Sequence, residues 1–199
     1  MWLSIAEIAL LIILPLTIFF QRSGWQPKSY IPAILLLYVI WYLSYAFLHE
    51  ASHLLGVWVT GTKVEGYQLI PHFWKGDFST GYIRSVYDSK SDEFIVVIFA
   101  YLRDLVFLTA GYFILKRMNT TRTLLTGLIL VVFILSPVYD IIDNYLAFLV
   151  GAKNDFNALI VISNKFTVHT IGILMLSYSV FISLAVVKQA GIIRQTVKK

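Results

Sequence analysis

Apolar residues in this chain gather into long unbroken blocks, and Gly, Pro and charge collect in the short stretches between them. A hydrocarbon core of about 30 Å is crossed by ~20 helical residues. Five blocks reach that length, at about Trp2 to Phe20, Pro32 to Thr60, Phe94 to Leu115, Thr123 to Val150 and Phe166 to Val187. The first lacks a basic leader and a small-x-small cleavage site, so it reads as a retained anchor. Pro32 suits the first turn of the second helix, and Gly61 suits its end. Residues 62–93 break the pattern with Gly, Pro and charge, and pieces such as Gly-Tyr-Ile-Arg-Ser-Val-Tyr predict one or two short hairpins. No repeat or linker stands out. The expected architecture is a single domain over residues 1–199, an all-α integral membrane protein of about five transmembrane helices with a short β-hairpin-like insertion after the second.

Composition agrees with a bilayer as solvent: 58% of residues are hydrophobic, 14% are charged and the mean hydropathy is +0.76. The absence of cysteine excludes disulfides and thiolate metal sites. The net charge of +5 is scattered over short loops and the C-terminal tail rather than drawn into a stripe, which fits topology signals and not a nucleic-acid footprint. Arg22 and Lys28, then Lys116, Arg117 and Arg122, then Lys188, Arg194, Lys198 and Lys199 all fall on one side of a five-span protein. In the 62–93 segment, by contrast, acidic residues offset the lysines and arginine. The expected orientation is N-terminus outside and C-terminus cytoplasmic.

The second block contains His49-Glu50-Ala51-Ser52-His53 near its outer end. Residues four apart on a helix share a face one turn apart, so His49 and His53 can bind one metal through two imidazoles. Glu50 is rotated by about 100° from His49, which puts its carboxylate beside the metal rather than on it. There it can take a proton from activated water and return it to a leaving amine. This is the HExxH zinc-hydrolase arrangement. Ionisable groups inside a span cost about 2.5–3.5 kcal/mol each, so three within five residues call for a compensating partner such as Zn2+.

Catalytic zinc usually takes three protein ligands and a water. The candidates for the third lie in residues 135–159. Asp140, Asp143 and Asn144 form a polar stripe at i, i+3 and i+4, and Asp140 is ~18 residues past Arg122, a depth that matches His49. Asp155 follows Gly151, a helix terminator, and Asn154–Asp155 reads as the cap of a short helix over 156–164. Depth counting favours Asp140 or Asp143; Asp155 requires the chain to fold back.

Over roughly residues 45–165 the sequence resembles the membrane-embedded site-2-protease group of zinc metalloproteases, peptidase family M50, and especially its small M50B-like branch. The resemblance rests on HEASH in the second span, the glycine-punctuated segment after it, Ser-Pro-Val-Tyr-Asp-Ile-Ile-Asp at 136–143 and Gly-Ala-Lys-Asn-Asp-Phe-Asn-Ala-Leu at 151–159. It implies zinc-dependent hydrolysis of a peptide bond in or beside the membrane, with Glu50 as proton carrier and His49, His53 and Asp155 as metal ligands. Asp140 and Asp143 match the branch's second acidic pair, lining the site or ligating instead. The chain departs from the group in carrying Ser52 where a small glycine is common, and in Phe156 after the aspartate where better-known members continue with glycine.

The implied partners are a membrane protein or peptide substrate and the lipid bilayer. No clear Gly-x-x-x-Gly motif sets an oligomeric state. Two other classes share these features: a zinc-dependent lipid or amide hydrolase, and a non-enzymatic metal-binding membrane protein. Four histidines are too few for a di-iron oxygenase, and the ionisable residues form one focus rather than a transport path. Of the other polar residues, His169 is a candidate neighbour of the site, His72 a solvated loop histidine and Asn144 an interhelical hydrogen-bonding group.

Overall fold

The computed structural model describes residues 2–70, 72, 75, 81–118 and 122–197. Six helices and one hairpin account for most of them. Helix α1 comprises Trp2–Ile8, a π-helical turn Ala9–Ile13 and Leu14–Arg22; α2 is Pro27–Thr60; β1 is Lys63–Gln68 and β2 is Tyr82–Val86. Helix α3 is Lys90–Arg117. Helix α4 comprises Thr123–Leu130, a second π-helical turn Val131–Leu135 and Ser136–Leu149; α5 is Asp155–Ile162 and α6 is Lys165–Val197. All but α5 are long and apolar enough to cross a membrane, which makes this a multi-pass membrane protein. A second hairpin within residues 62–93 would fall on positions 71, 73–74 and 76–80, outside the described residues.

Several helices start earlier than their apolar blocks because capping, not hydrophobicity, sets the boundary. Helix α2 begins at Pro27 and not at Pro32, which lies inside it. Pro27 fills the first helical position, where a missing N–H costs nothing. Helix α3 begins at Lys90 because Ser89 Oγ accepts the Asp92 amide at 3.1 Å and donates to the Asp92 carboxylate at 2.7 Å. Helix α6 begins at Lys165, where Asn164 Oδ1 accepts the Thr167 amide at 2.9 Å.

The chain divides into two compact units that interleave along the sequence. One unit comprises residues 1–38, 104–143 and 172–199. Here Ile12, Leu16, Phe20, Val131 and Ile134 are buried, and the two π-helical turns pack against each other. Gly127 admits Leu37 and Phe20 side chains, and Thr109 shares a 2.6 Å hydrogen bond with Tyr178. Glu7, Asp104 and Asp140 are buried within this unit.

The other unit, residues 39–103 and 144–171, holds the hairpin and α5. Gly61, at φ +72°, ends α2 in a left-handed turn, and β1 follows at once. The strands pair antiparallel from Lys63↔Val86 to Gln68↔Tyr82, with a bulge between Val64 and Gly66. Their side chains alternate: Val64, Gln68, Ile83 and Ser85 face inward, while Tyr67, Tyr82 and Arg84 stay exposed. Helix α2 meets α3 at Gly56, where an added Cβ would stand 2.7 Å from Val96 Cα. Close backbone approach at a small residue is how helices pack where lipid removes the hydrophobic drive between them.

Gly56→Ala is therefore expected to destabilise the detergent-solubilised protein by about 1–3 kcal/mol through overpacking. Gly66→Ala, whose Cβ meets nothing within 4 Å, is expected to leave it unchanged. Thermal unfolding midpoints of the two variants in one detergent check this pair.

Candidate metal centre

Two histidines of α2 and the first residue of α5 converge on one point. His49 Nε2 and His53 Nε2 are 3.2 Å apart, and each is 3.2 Å from Asp155 Oδ2. His49 and His53 side chains are 13% and 9% exposed and Asp155 is 25% exposed. These three residues form a group that could hold a metal ion. A tetrahedral ion with ligands at about 2.0–2.1 Å separates neighbouring ligand atoms by about 3.3–3.4 Å. The observed triangle has nearly those edges. It supplies one face of a tetrahedron and leaves the apex for a fourth ligand.

The chemistry of the donors fits as well. His53 Nδ1 lies 2.9 Å from the Val96 carbonyl oxygen, which can only accept, so Nδ1 carries the proton. In the neutral imidazole Nε2 then presents a lone pair to the triangle. A carbonyl behind a ligating histidine fixes its tautomer and ring orientation in this way. Gly56 permits the helix approach that brings Val96 within reach. A lone pair on Nε2 facing a carboxylate oxygen needs positive charge between them, either a second proton on the ring or a cation at the centre of the triangle. Burial acts to raise the Asp155 carboxyl, but hydrogen bonds with His49 and His53, and then their charge, outweigh it and hold the carboxyl well below the usual carboxylate range.

Asp155 reaches the histidines because the chain turns back after α4. Gly151, at φ +77°, ends that helix, with the Ala152 amide bonded to the Ala147 carbonyl at 2.8 Å. Asn154 then caps α5: its Oδ1 accepts the Asn157 amide at 3.2 Å, while its Nδ2 donates to the Asn144 carbonyl. The Asn157 side chain ties back to the Ala152 carbonyl. Phe156, fully buried, anchors the turn. Its ring lies 4.9 Å from Tyr101, 5.6 Å from Tyr145 and 6.0 Å from Phe148.

The remaining candidates lie outside the triangle. Glu50 sits between the ligands in sequence, 7% exposed, on the flank of α2 next to His49. Asp140 and Asp143 belong to the other compact unit and are not members of the ligand triangle. Asn144 lends its carbonyl to Asn154. His169 joins the aromatic cluster beneath α5: its Nδ1 is 2.9 Å from Tyr145 Oη and its ring 5.3 Å from Phe148. His72 is half-buried in the connection between the strands.

Sequence reasoning noted Phe156 only as a departure from the resembled pattern and passed over Tyr145, Gly56 and Val96. Gly56 lies one turn after His53 and Phe156 directly follows Asp155, while nothing local marks Tyr145 or Val96. Sequence reasoning also passed over Tyr87, which follows β2; burial and then the charges of Glu93 and Asp155 push its phenol up, so it remains a neutral hydroxyl. No family model, curated protein or solved structure matches this chain.

His53→Ala and Asp155→Ala are each expected to abolish stoichiometric metal binding, and Phe156→Ala to weaken it by about 10–100-fold through loss of the support behind Asp155. Asp140→Asn is expected to leave metal content unchanged. Elemental analysis after dialysis, with chelator competition for affinity, reads all four.

Proposed function

We propose that this protein is a zinc-dependent hydrolase that cleaves peptide bonds in or beside the membrane. The observation that carries the reading is the triangle of His49 Nε2, His53 Nε2 and Asp155 Oδ2 with a buried carboxylate, Glu50, next to the first ligand. Two imidazoles and a carboxylate with one open position are the donor set of catalytic zinc. Bound there, zinc would supply Lewis acidity toward a carbonyl oxygen and an activated water.

The chain's own residues supply the rest. The Val96 carbonyl keeps the proton of His53 on Nδ1, away from the ligand triangle. Glu50 accepts a proton from the attacking water and returns it to the departing amine; such a carrier contributes about 10²–10⁴-fold. A helical substrate hides its carbonyls in hydrogen bonds and must be held extended. The two-stranded sheet that follows α2 offers strand edges for this. The resemblance of the HEASH stretch and the 136–159 region to site-2 proteases points to the same chemistry. The distribution of basic loops supports an N-terminus outside and a cytoplasmic C-terminus.

Glu50→Gln is expected to retain about one zinc per chain and lose activity by about 10²–10⁴-fold. Purified protein in liposomes would be challenged with a panel of single-span peptides, and new termini read by mass spectrometry. Cleavage by the wild type but not by Glu50→Gln is the expected result. Release of amines from amide-linked lipids with no peptide cut would replace the protease reading with a lipid amidase; no product of either kind from zinc-loaded protein would overturn both.

Because the chain has no cysteine, single-cysteine variants report topology cleanly. Glu65→Cys is expected to react with an impermeant maleimide on intact cells, and Ser23→Cys only after permeabilisation. The reverse pattern would invert the orientation.

A further inference from the structure

The approach of Gly81 to Glu50 assigns a task to the hairpin. Gly81 immediately precedes β2, and its backbone lies on the Glu50 side chain: an added Cβ would stand 2.5 Å from Glu50 Cγ and 3.2 Å from Glu50 Cδ. The same Cβ would stand 2.3 Å from the Gln68 carbonyl oxygen, on the paired strand. An added methyl would meet backbone on one side and the Glu50 side chain on the other, so glycine is required here for space. Glu50 is rotated about 100° from His49 around α2, and helix geometry alone leaves its long side chain several rotamers. The hairpin entry removes that freedom on the side it covers, and Glu50 is only 7% exposed.

We propose that Gly81 is a positioning residue: the backbone entering β2 packs on Glu50 and fixes where its carboxylate stands beside the His49–His53–Asp155 triangle. The sheet thereby becomes part of the proton-handling machinery as well as a surface for substrate. This inference rests on Glu50 being the proton carrier. A misplacement of about 1 Å at such a group costs on the order of 10²-fold in rate.

The test substitutes cobalt for zinc, because the visible spectrum of cobalt reports the surroundings of the metal without any turnover. Gly81→Ala is expected to bind about one cobalt per chain with an altered absorption envelope, to lose peptide cleavage by about 10²-fold and to shift the pH profile of the remaining activity. In the Glu50→Gln background the same substitution is expected to leave the cobalt spectrum where Glu50→Gln alone puts it, since the two changes act through one group. A wild-type cobalt spectrum and pH profile in Gly81→Ala, with only a lowered thermal midpoint, would overturn the proposal and reduce Gly81 to hairpin packing.

If Gly81→Ala fails to fold, the double variant Glu50→Ala/Gly81→Ala decides. Recovery of folding there shows that the methyl collides with Glu50; failure there assigns the constraint to the Gln68 carbonyl and overturns the proposal. Wild-type protein that binds no cobalt sinks the metal reading itself and the Gly81 assignment with it. Cobalt binding without cleavage of any peptide sinks only the choice of substrate, while the spectra still decide on Gly81.

Discussion

Charge does not sit in an apolar helix without a partner, and this constraint organises the half of the protein that holds α5. On insertion scales an ionisable group costs up to about 2.5–3.5 kcal/mol at the centre of a span and less toward the interface, and α2 carries His49, Glu50 and His53 within two turns. The histidines' partners arrive from separate parts of the chain, the Val96 carbonyl from α3 and the Asp155 carboxylate from the start of α5, while the Gly81 backbone of the hairpin packs on the Glu50 side chain. The close approach at Gly56 and the aromatic packing around Phe156 serve to hold those partners where α2 needs them.

The helices were legible in the sequence because a bilayer imposes a length and a composition that few other environments require. Boundaries were less so. Pro27 and Pro32 both suit a first turn, and what separates them is that residues 27–31 can continue the helix beyond the apolar block. Ser89 extended α3 in the same way, through hydrogen bonds that a hydropathy count does not weigh.

The two histidines and Glu50 were legible for a local reason: spacing along one helix decides which side chains share a face. The carboxylate that completes the triangle was not, because its placement is tertiary. Counting residues from the nearest loop assumes that a helix runs straight through the membrane, and that assumption favoured Asp140 and Asp143. Gly151 instead reverses the chain, and Phe156 buries itself among Tyr101, Tyr145 and Phe148, returning Asp155 to the depth of the histidines. Only the resemblance to known proteases pointed to Asp155 from sequence, and depth counting pointed elsewhere.

The length of α2 bears on how the site obtains water. Thirty-four residues make a helix of about 51 Å, against a hydrocarbon core of about 30 Å. Transmembrane helices tilt by up to about 40°, which still leaves about 12 Å of α2 outside the core. The polar start Pro27–Tyr30 accounts for about 6 Å of that, so the rest emerges at the Thr60 end. His53, seven residues or about 10 Å from that end, then stands within about 5 Å of the headgroup boundary. A centre at that level can be hydrated from the interface itself and needs no aqueous channel drilled through the bundle.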